Sequence, residues 1–316
     1  MRLFYLFVIT VVLLLACNEQ PVESTVVIPE TPFLVVLGIA QDAGYPQMGC
    51  ERTCCTAVWT GQEDPQFVSA VGVVDPRAQK KWLFDATPDM REQLELFQQY
   101  ALSQSFLPDG IFLTHAHIGH YTGLMQLGRE VMGADRVPVW AMPRMDTFLR
   151  KNGPWGQLVN LQNIDIQALT NKASISLSKN MQVRPIQVPH RDEYSETVGF
   201  LISGPNKSAL FIPDIDKWER WDESIIDYVG QVDYLLLDGT FFDNGEIPNR
   251  DMSEIPHPFI TESMELFTDR LPEEDRAKII FTHFNHTNPM LWNSEKRKLV
   301  EDMGFGVARM GQIIEL

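Results

Sequence analysis

The segment Thr114-His115-Ala116-His117-Ile118-Gly119-His120 places three of the chain's seven histidines within six residues, directly after an apolar stretch. Neutral imidazole is the commonest protein ligand for zinc-like ions. In a turn, alternate residues point the same way, so the spacing predicts that His115 and His117 hold one metal while His120 faces a second. The chemistry expected of such a site is water activation: a bound divalent ion lowers the pKa of its water to ~7 and polarises a scissile group.

A second group is built of cysteines. Cys50, Cys54 and Cys55 lie within six residues, and the only other cysteine is Cys17. An odd number in an exported domain does not suit a simple disulfide framework, whereas a clustered trio suits a metal knuckle. A disulfide between Cys50 and one neighbour, or free thiols, remain the alternatives.

These residues must be positioned by alternating strands and helices. FLVVLG at 33–38 reads as a buried first strand, followed by a Gly/Pro/Cys-rich loop over 39–56. Strands are expected at 68–74 and 82–84, and a helix at 88–100, where Met90, Leu94 and Phe97 share a face. A strand at 110–113 runs into the histidines. Further strands are expected at 137–141 and 183–188, with a hairpin of 198–202 and 209–212 across Gly204-Pro205-Asn206. A helix at 217–228, strands at 232–237 and 279–281, a helix at 294–303 and a strand at 313–316 complete the pattern. Strands in runs with helices between them make a layered α/β domain.

After Met1 come Arg2, an apolar run over 3–15 interrupted only by Thr10, and the ending Leu14-Leu15-Ala16-Cys17. That run falls short of the ~20 residues of a spanning helix, and it has the parts of a secretory signal. Its end resembles the lipobox of bacterial lipoproteins, which implies that Cys17 is lipidated and becomes the first mature residue. The expected organisation is a signal over 1–16, a flexible tether over 17–32 and one domain over 33–316. The protein would then sit in the cell envelope, lipid-anchored to a bacterial membrane and facing the periplasm or exterior. The formal charge of −16 argues against nucleic acid as a partner, because a phosphate-binding surface needs clustered Lys and Arg. A small-molecule substrate held by metals is compatible with it.

The histidine segment resembles the metallo-β-lactamase superfamily, whose signature is His-x-His-x-Asp-His. Further landmarks follow in that superfamily's order: Asp85, His190, Asp214 and His283, each at the end of an apolar stretch. The resemblance implies a four-layer αββα sandwich and a residue-by-residue site. His115, His117 and His190 would hold one metal. His120, Asp214 and His283 would serve a second, with Asp214 and His120 acting in catalysis. Gly119 departs from the signature by lacking its aspartate, so the second zinc is expected to be weaker than the first, or to recruit Asp42 or His286 as a substitute. Iron or manganese would also suit these ligands.

Outside the histidines, Gly38-Ile39-Ala40-Gln41-Asp42-Ala43-Gly44-Tyr45-Pro46-Gln47 with Cys50, Leu237-Asp238-Gly239-Thr240 and Asn285-His286-Thr287-Asn288-Pro289 resemble the pyrroloquinoline-quinone biosynthesis protein B family. That family's cysteine spacing is Cys-x-Cys-x-x-Cys, with Arg52 here at the middle position. The resemblance implies a structural zinc on Cys50, Cys54 and Cys55, with His257 as fourth ligand. The expected function is a metal-dependent hydrolase acting on an ester, phosphodiester or amide. Two alternatives stand beside it: an iron-dependent oxidoreductase or hydroxylase like that family, and a non-catalytic ligand-binding surface protein.

Overall fold

The computed structural model describes residues 27–100 and 105–316. The expected signal, Cys17 and most of the expected tether lie outside the described residues. The last stretch of that tether lies against the domain: Thr31 Oγ1 donates to Glu315, and Leu316 N donates to Pro32 O at 2.8 Å.

Two seven-stranded sheets form the centre. The first contains β1 (Phe33–Gly38), β2 (Ala70–Asp75), β3 (Lys80–Phe84), β4 (Gly110–Phe112), β5 (Val137–Ala141) and β6 (Ile164–Ala168). The second contains β7 (Ile175–Ser176), β8 (Gln182–Gln187), β9 (Val198–Ser203), β10 (Ser208–Ile212), β11 (Tyr234–Asp238), β12 (Ile279–Thr282) and β13 (Gly306–Val307). A final strand, β14 (Ile313–Glu315), returns to the first sheet beside β1. The orders are 14-1-2-3-4-5-6 and 13-12-11-10-9-8-7, so each sheet is built almost wholly from one half of the chain.

The unbroken apolar run of β1 is explained by burial on both faces. Phe33, Val35 and Leu37 pack with Met90, Leu94 and Phe97 of the helix Met90–Gln98, while Leu34 and Val36 face the core shared by the two sheets. Phe112 lies in that shared core, stacked on Phe84 and Trp140 with ring centroids at 4.9 and 4.5 Å. The edge of Phe200 from the second sheet meets it at 5.7 Å. Helices flank the two sheets, completing the αββα sandwich.

The expected helix over 217–228 is broken. It divides into a 3-10 turn at Trp218–Arg220 and a helix at Ile225–Val229, because the intervening Trp221 is extended and donates its indole N–H to Gln187 O. Strands β6 and β7 and the helices Thr53–Trp59, Pro143–Lys151, Trp155–Asn160 and Ile260–Arg270 were not expected from the sequence.

Candidate metal centre

Strands β3 and β4 run parallel, as do β10, β11 and β12, and β8 shares the direction of β10 because both are antiparallel to β9. Their carboxyl ends therefore open on one edge, where ligands gather in α/β sheets. Asp85 follows β3, His115 follows β4, His190 follows β8, Asp214 follows β10 and His283 follows β12, while Asp238 closes β11. Asp85 and His283 adopt left-handed φ of 69° and 63°. That conformation is uncommon for residues other than glycine, and it turns both chains abruptly at the site.

The side chains meet in three groups that share Asp214, the smallest of them Asp214, Asp238 and His257. Of the two larger groups, His115, His117, His190 and Asp214 form one; Asp42, His120, Asp214 and His283 form the other, with donor atoms in each group lying within 4.8 Å of one another. Asp214 Oδ2 is 3.4 Å from His115 Nε2, 2.9 Å from His120 Nε2 and 3.3 Å from His283 Nε2; its Oδ1 is 3.7 Å from His190 Nε2. Asp42 Oδ1 is 3.1 Å from His120 Nε2. These spacings approach the ~3.3 Å edge of a tetrahedron with ligands at ~2.0 Å.

The outward ring nitrogens are held by partners. His120 Nδ1 donates to Asp85 Oδ2 at 2.7 Å and His190 Nδ1 to Asp216 Oδ1 at 3.2 Å, while Thr114 and Thr240 hydroxyls meet Nδ1 of His115 and His283 at 2.9 Å. Asp85 is fixed in turn by Thr114 N at 2.8 Å. Such partners orient a metal-ligating imidazole and raise its basicity. The inward atoms show the reverse. Asp42 Oδ1, Asp214 Oδ2 and the Nε2 atoms of His115, His120, His190 and His283 are all buried without a hydrogen-bond partner. Leaving one such atom unpaired costs ~1–3 kcal/mol, so these six, divided between the two larger groups that share Asp214, fit a cation in each.

Electrostatics agree with that fit. Burial holds His115 well below the usual histidine range, aided by neighbouring His120, so its imidazole is neutral and able to ligate. Asp214 lies well below the usual carboxylate range; burial opposes this, but His283, His190 and His120 prevail. His120 is raised well above its ordinary value despite burial, because Asp85, Asp214 and Asp42 surround it and favour positive charge. His117 sits nearer the mouth, with Glu193 Oε2 3.3 Å from its Nε2 and Arg191 Nη2 3.5 Å from its Nδ1.

His257 is not beside the cysteines. The loop after β11 folds back over the site, tied by Lys217 N donating to Pro256 O. His257 Nδ1 consequently lies 2.7 Å from Asp238 Oδ2 and 3.4 Å from Asp214 Oδ1, its ring 5.1 Å from that of His190. Burial lowers its pKa, but Asp238 outweighs this and raises it to about 9. The histidine that meets Cys50 and Cys54 is His286, expected as a substitute at the second metal position and placed instead with these sulfurs. Cys50 and Cys54 Sγ are 3.9 Å apart, and Cys54 and Cys55 Sγ 4.0 Å. A disulfide needs ~2.05 Å, whereas sulfurs ligating one zinc at ~2.3 Å lie ~3.8 Å apart. Burial pushes the Cys55 thiol up to about 12 and raises Cys54 as well, which opposes thiolates unless a cation compensates.

A model described as "Beta-lactamase superfamily domain" matches residues 80–284. The chain belongs to the β-lactamase superfamily. Within the superfamily it is similar to coenzyme PQQ synthesis protein B of Methylorubrum extorquens strain PA1, 26% identical over 310 residues that cover 90% of this chain and 99% of that one. The Klebsiella pneumoniae protein of that name is 28% identical, covering 90% and 98%. Among solved structures, Zn(2+)-bound PqqB from Methylobacterium extorquens shares the fold with a TM-score of 0.73 at 22% identity, covering 90% of this chain and 100% of that one. A diphosphatase from the PhnP family shares it at 0.62 and 21%, covering 90% and 97%.

The superfamily signature's carboxylate is missing at Gly119, yet the second group still contains two carboxylates because Asp42 enters it from the loop after β1. Of the two expectations for that position, a weaker metal or a substitute ligand, the geometry favours the second, with Asp42 in place of His286. Sequence reasoning overlooked Asp216, Thr114 and Thr240 as partners of the histidines; the alternation in Asp214-Ile215-Asp216 was the available signal for the first. Asn288 of the Asn-Pro motif is a brace, donating to Gly239 O at 2.7 Å and accepting from Met290 N.

Proposed function

We propose that this chain is a metal-dependent hydrolase of an ester, phosphodiester or amide, exported and lipid-anchored through Cys17. The six unpartnered donor atoms around Asp214 carry the reading. Metals held by His115, His117 and His190 on one side and by Asp42, His120 and His283 on the other, with Asp214 between, would supply an activated water and a polarised scissile bond. Asp85, Asp216, Thr114 and Thr240 hold the ligand rings in place. Asp238 faces His257 Nδ1 and favours the protonated ring, which leaves Nε2 as the atom available to deliver a proton to the leaving group. Arg191, exposed at the mouth, offers positive charge to an anionic substrate.

The test pairs metal analysis with a substrate panel. Chelation should abolish hydrolysis and added metal should restore it. His257→Gln should slow substrates with alkoxide leaving groups by ~10²–10⁴-fold while scarcely affecting nitrophenolate substrates, which leave without a proton. Equal loss on both would remove the proton-donor role, and activity that survives complete metal removal would refute the hydrolase reading. Similarity to coenzyme PQQ synthesis protein B over 90% of the chain supports a second reading, an iron-dependent oxidoreductase. A His/Asp donor set suits Fe(II) as well as zinc. Metal analysis after anaerobic purification separates the two.

A further inference from the structure

We infer that Asp42 is the carboxylate ligand of the second metal position, replacing the aspartate that the superfamily signature carries at residue 119, and that residue 119 is glycine because Asp42 fills its side-chain space. The inference rests on reading the site as a metal centre. Three observations carry it. Asp42 Oδ1 is buried without a hydrogen-bond partner, 3.1 Å from His120 Nε2 and 4.0 Å from His283 Nε2. A Cβ added to Gly119 would lie 2.2 Å from Asp42 Oδ1, 2.7 Å from its Cα and 2.9 Å from its Cγ, so all three nearest atoms belong to this one residue. The backbone of Gly119 is outside the left-handed region, so space and not conformation is what demands glycine there.

The loop bearing Asp42 has little freedom to retreat. Phe284 N donates to Ile39 O at 2.7 Å, Gln41 N donates to Phe284 O at 2.8 Å, and Gly44 N donates to Gln41 O at 2.7 Å. Asp42 is therefore laced to the residue that follows His283. Two solutions to the same coordination problem exclude each other: an aspartate at 119 adds no ligand, because its Cβ evicts the one already present.

The experiment measures metal per chain and affinity by zinc titration against a competing chelator. It uses wild type, Asp42→Ala, Gly119→Ala and the double variant, with thermal unfolding to confirm folding. Asp42→Ala should weaken one zinc by at least ~100-fold, since even outer-shell changes cost 10–100-fold, and leave the others unchanged. Gly119→Ala removes no donor and should still weaken the same zinc, because its methyl displaces Asp42. The double variant should be no weaker than Asp42→Ala, because the two changes act through one contact. If Gly119→Ala does not fold, Asp42→Ala and Asp42→Ser decide. Full zinc affinity in Asp42→Ala, or in a folded Gly119→Ala, overturns the inference alone. A wild type that takes up no zinc at either histidine position overturns the metal-centre reading and this inference with it.

Discussion

Asp238→Asn isolates one electrostatic interaction in the site and can be followed without knowing the substrate. Asp238 is fully buried, accepts from Thr240 N at 2.9 Å and Ile215 N at 3.1 Å, and faces His257 Nδ1 at 2.7 Å. Against the pull of burial, its charge and hydrogen bond, with a smaller contribution from Asp214, raise His257 to about 9 from an ordinary 6.5. A histidine with a raised folded-state pKa contributes stability that is complete below ~6.5 and is lost as pH rises through about 9. A shift of about 2.5 units corresponds to about 3 kcal/mol. In metal-free protein, the stability gap between wild type and Asp238→Asn should therefore be largest near pH 6 and shrink by about 3 kcal/mol by pH 9.5. Denaturant unfolding followed by circular dichroism at half-unit pH steps measures it, and groups unaffected by the substitution cancel in the difference. A gap that stays constant from pH 6 to 9.5 would show that Asp238 does not hold a charged His257.

Cys54→Ser should lose one zinc per chain and lower Tm by on the order of 10 °C, since binding and folding are linked in a knuckle that anchors the Asp42 loop; a variant with full zinc content and Tm would point to free thiols. Lys81 is buried under Phe97 with Nζ donating to Ser105 O, and burial depresses its pKa to about 8. Lys81→Met should accordingly raise Tm at pH 7, with the gain shrinking between pH 8 and 10.5 as the unfolded lysine also loses its proton. Cys17→Ser should abolish lipid labelling and membrane retention while leaving the folded domain's Tm unchanged; normal retention would remove the anchor.

Most strands were legible because they are short apolar runs ended by a turn residue; β1 and β5 coincide with their expected limits. The same runs marked His115, His190, Asp214 and His283, because a polar residue directly after a buried strand stands at the open edge of the sheet. Strands β6 and β7 were not legible, because IDIQA at Ile164–Ala168 is only half-buried at an edge and Ile175–Ser176 has two residues. The histidine assignments at 257 and 286 were exchanged for a physical reason. Nothing in local pattern says which way a proline-flanked loop folds over a sheet edge, and His257 is drawn to Asp238 while the turn after His283 carries His286 to the sulfurs. The Asp42 contact links positions 77 residues apart. Gly119 was visible as a departure, but its meaning required knowing what occupies the space beside it.

The central claim is that one edge of the sandwich holds two metals joined by Asp214. Anomalous diffraction from crystals of zinc-loaded protein tests it most directly. The account predicts two peaks ~3.5–4 Å apart, one on His115, His117 and His190, the other on Asp42, His120 and His283, with Asp214 between them. A third peak should stand among Cys50, Cys54 and His286. A single peak at the histidines, or a second one with Asp42 turned away from it, would contradict the account.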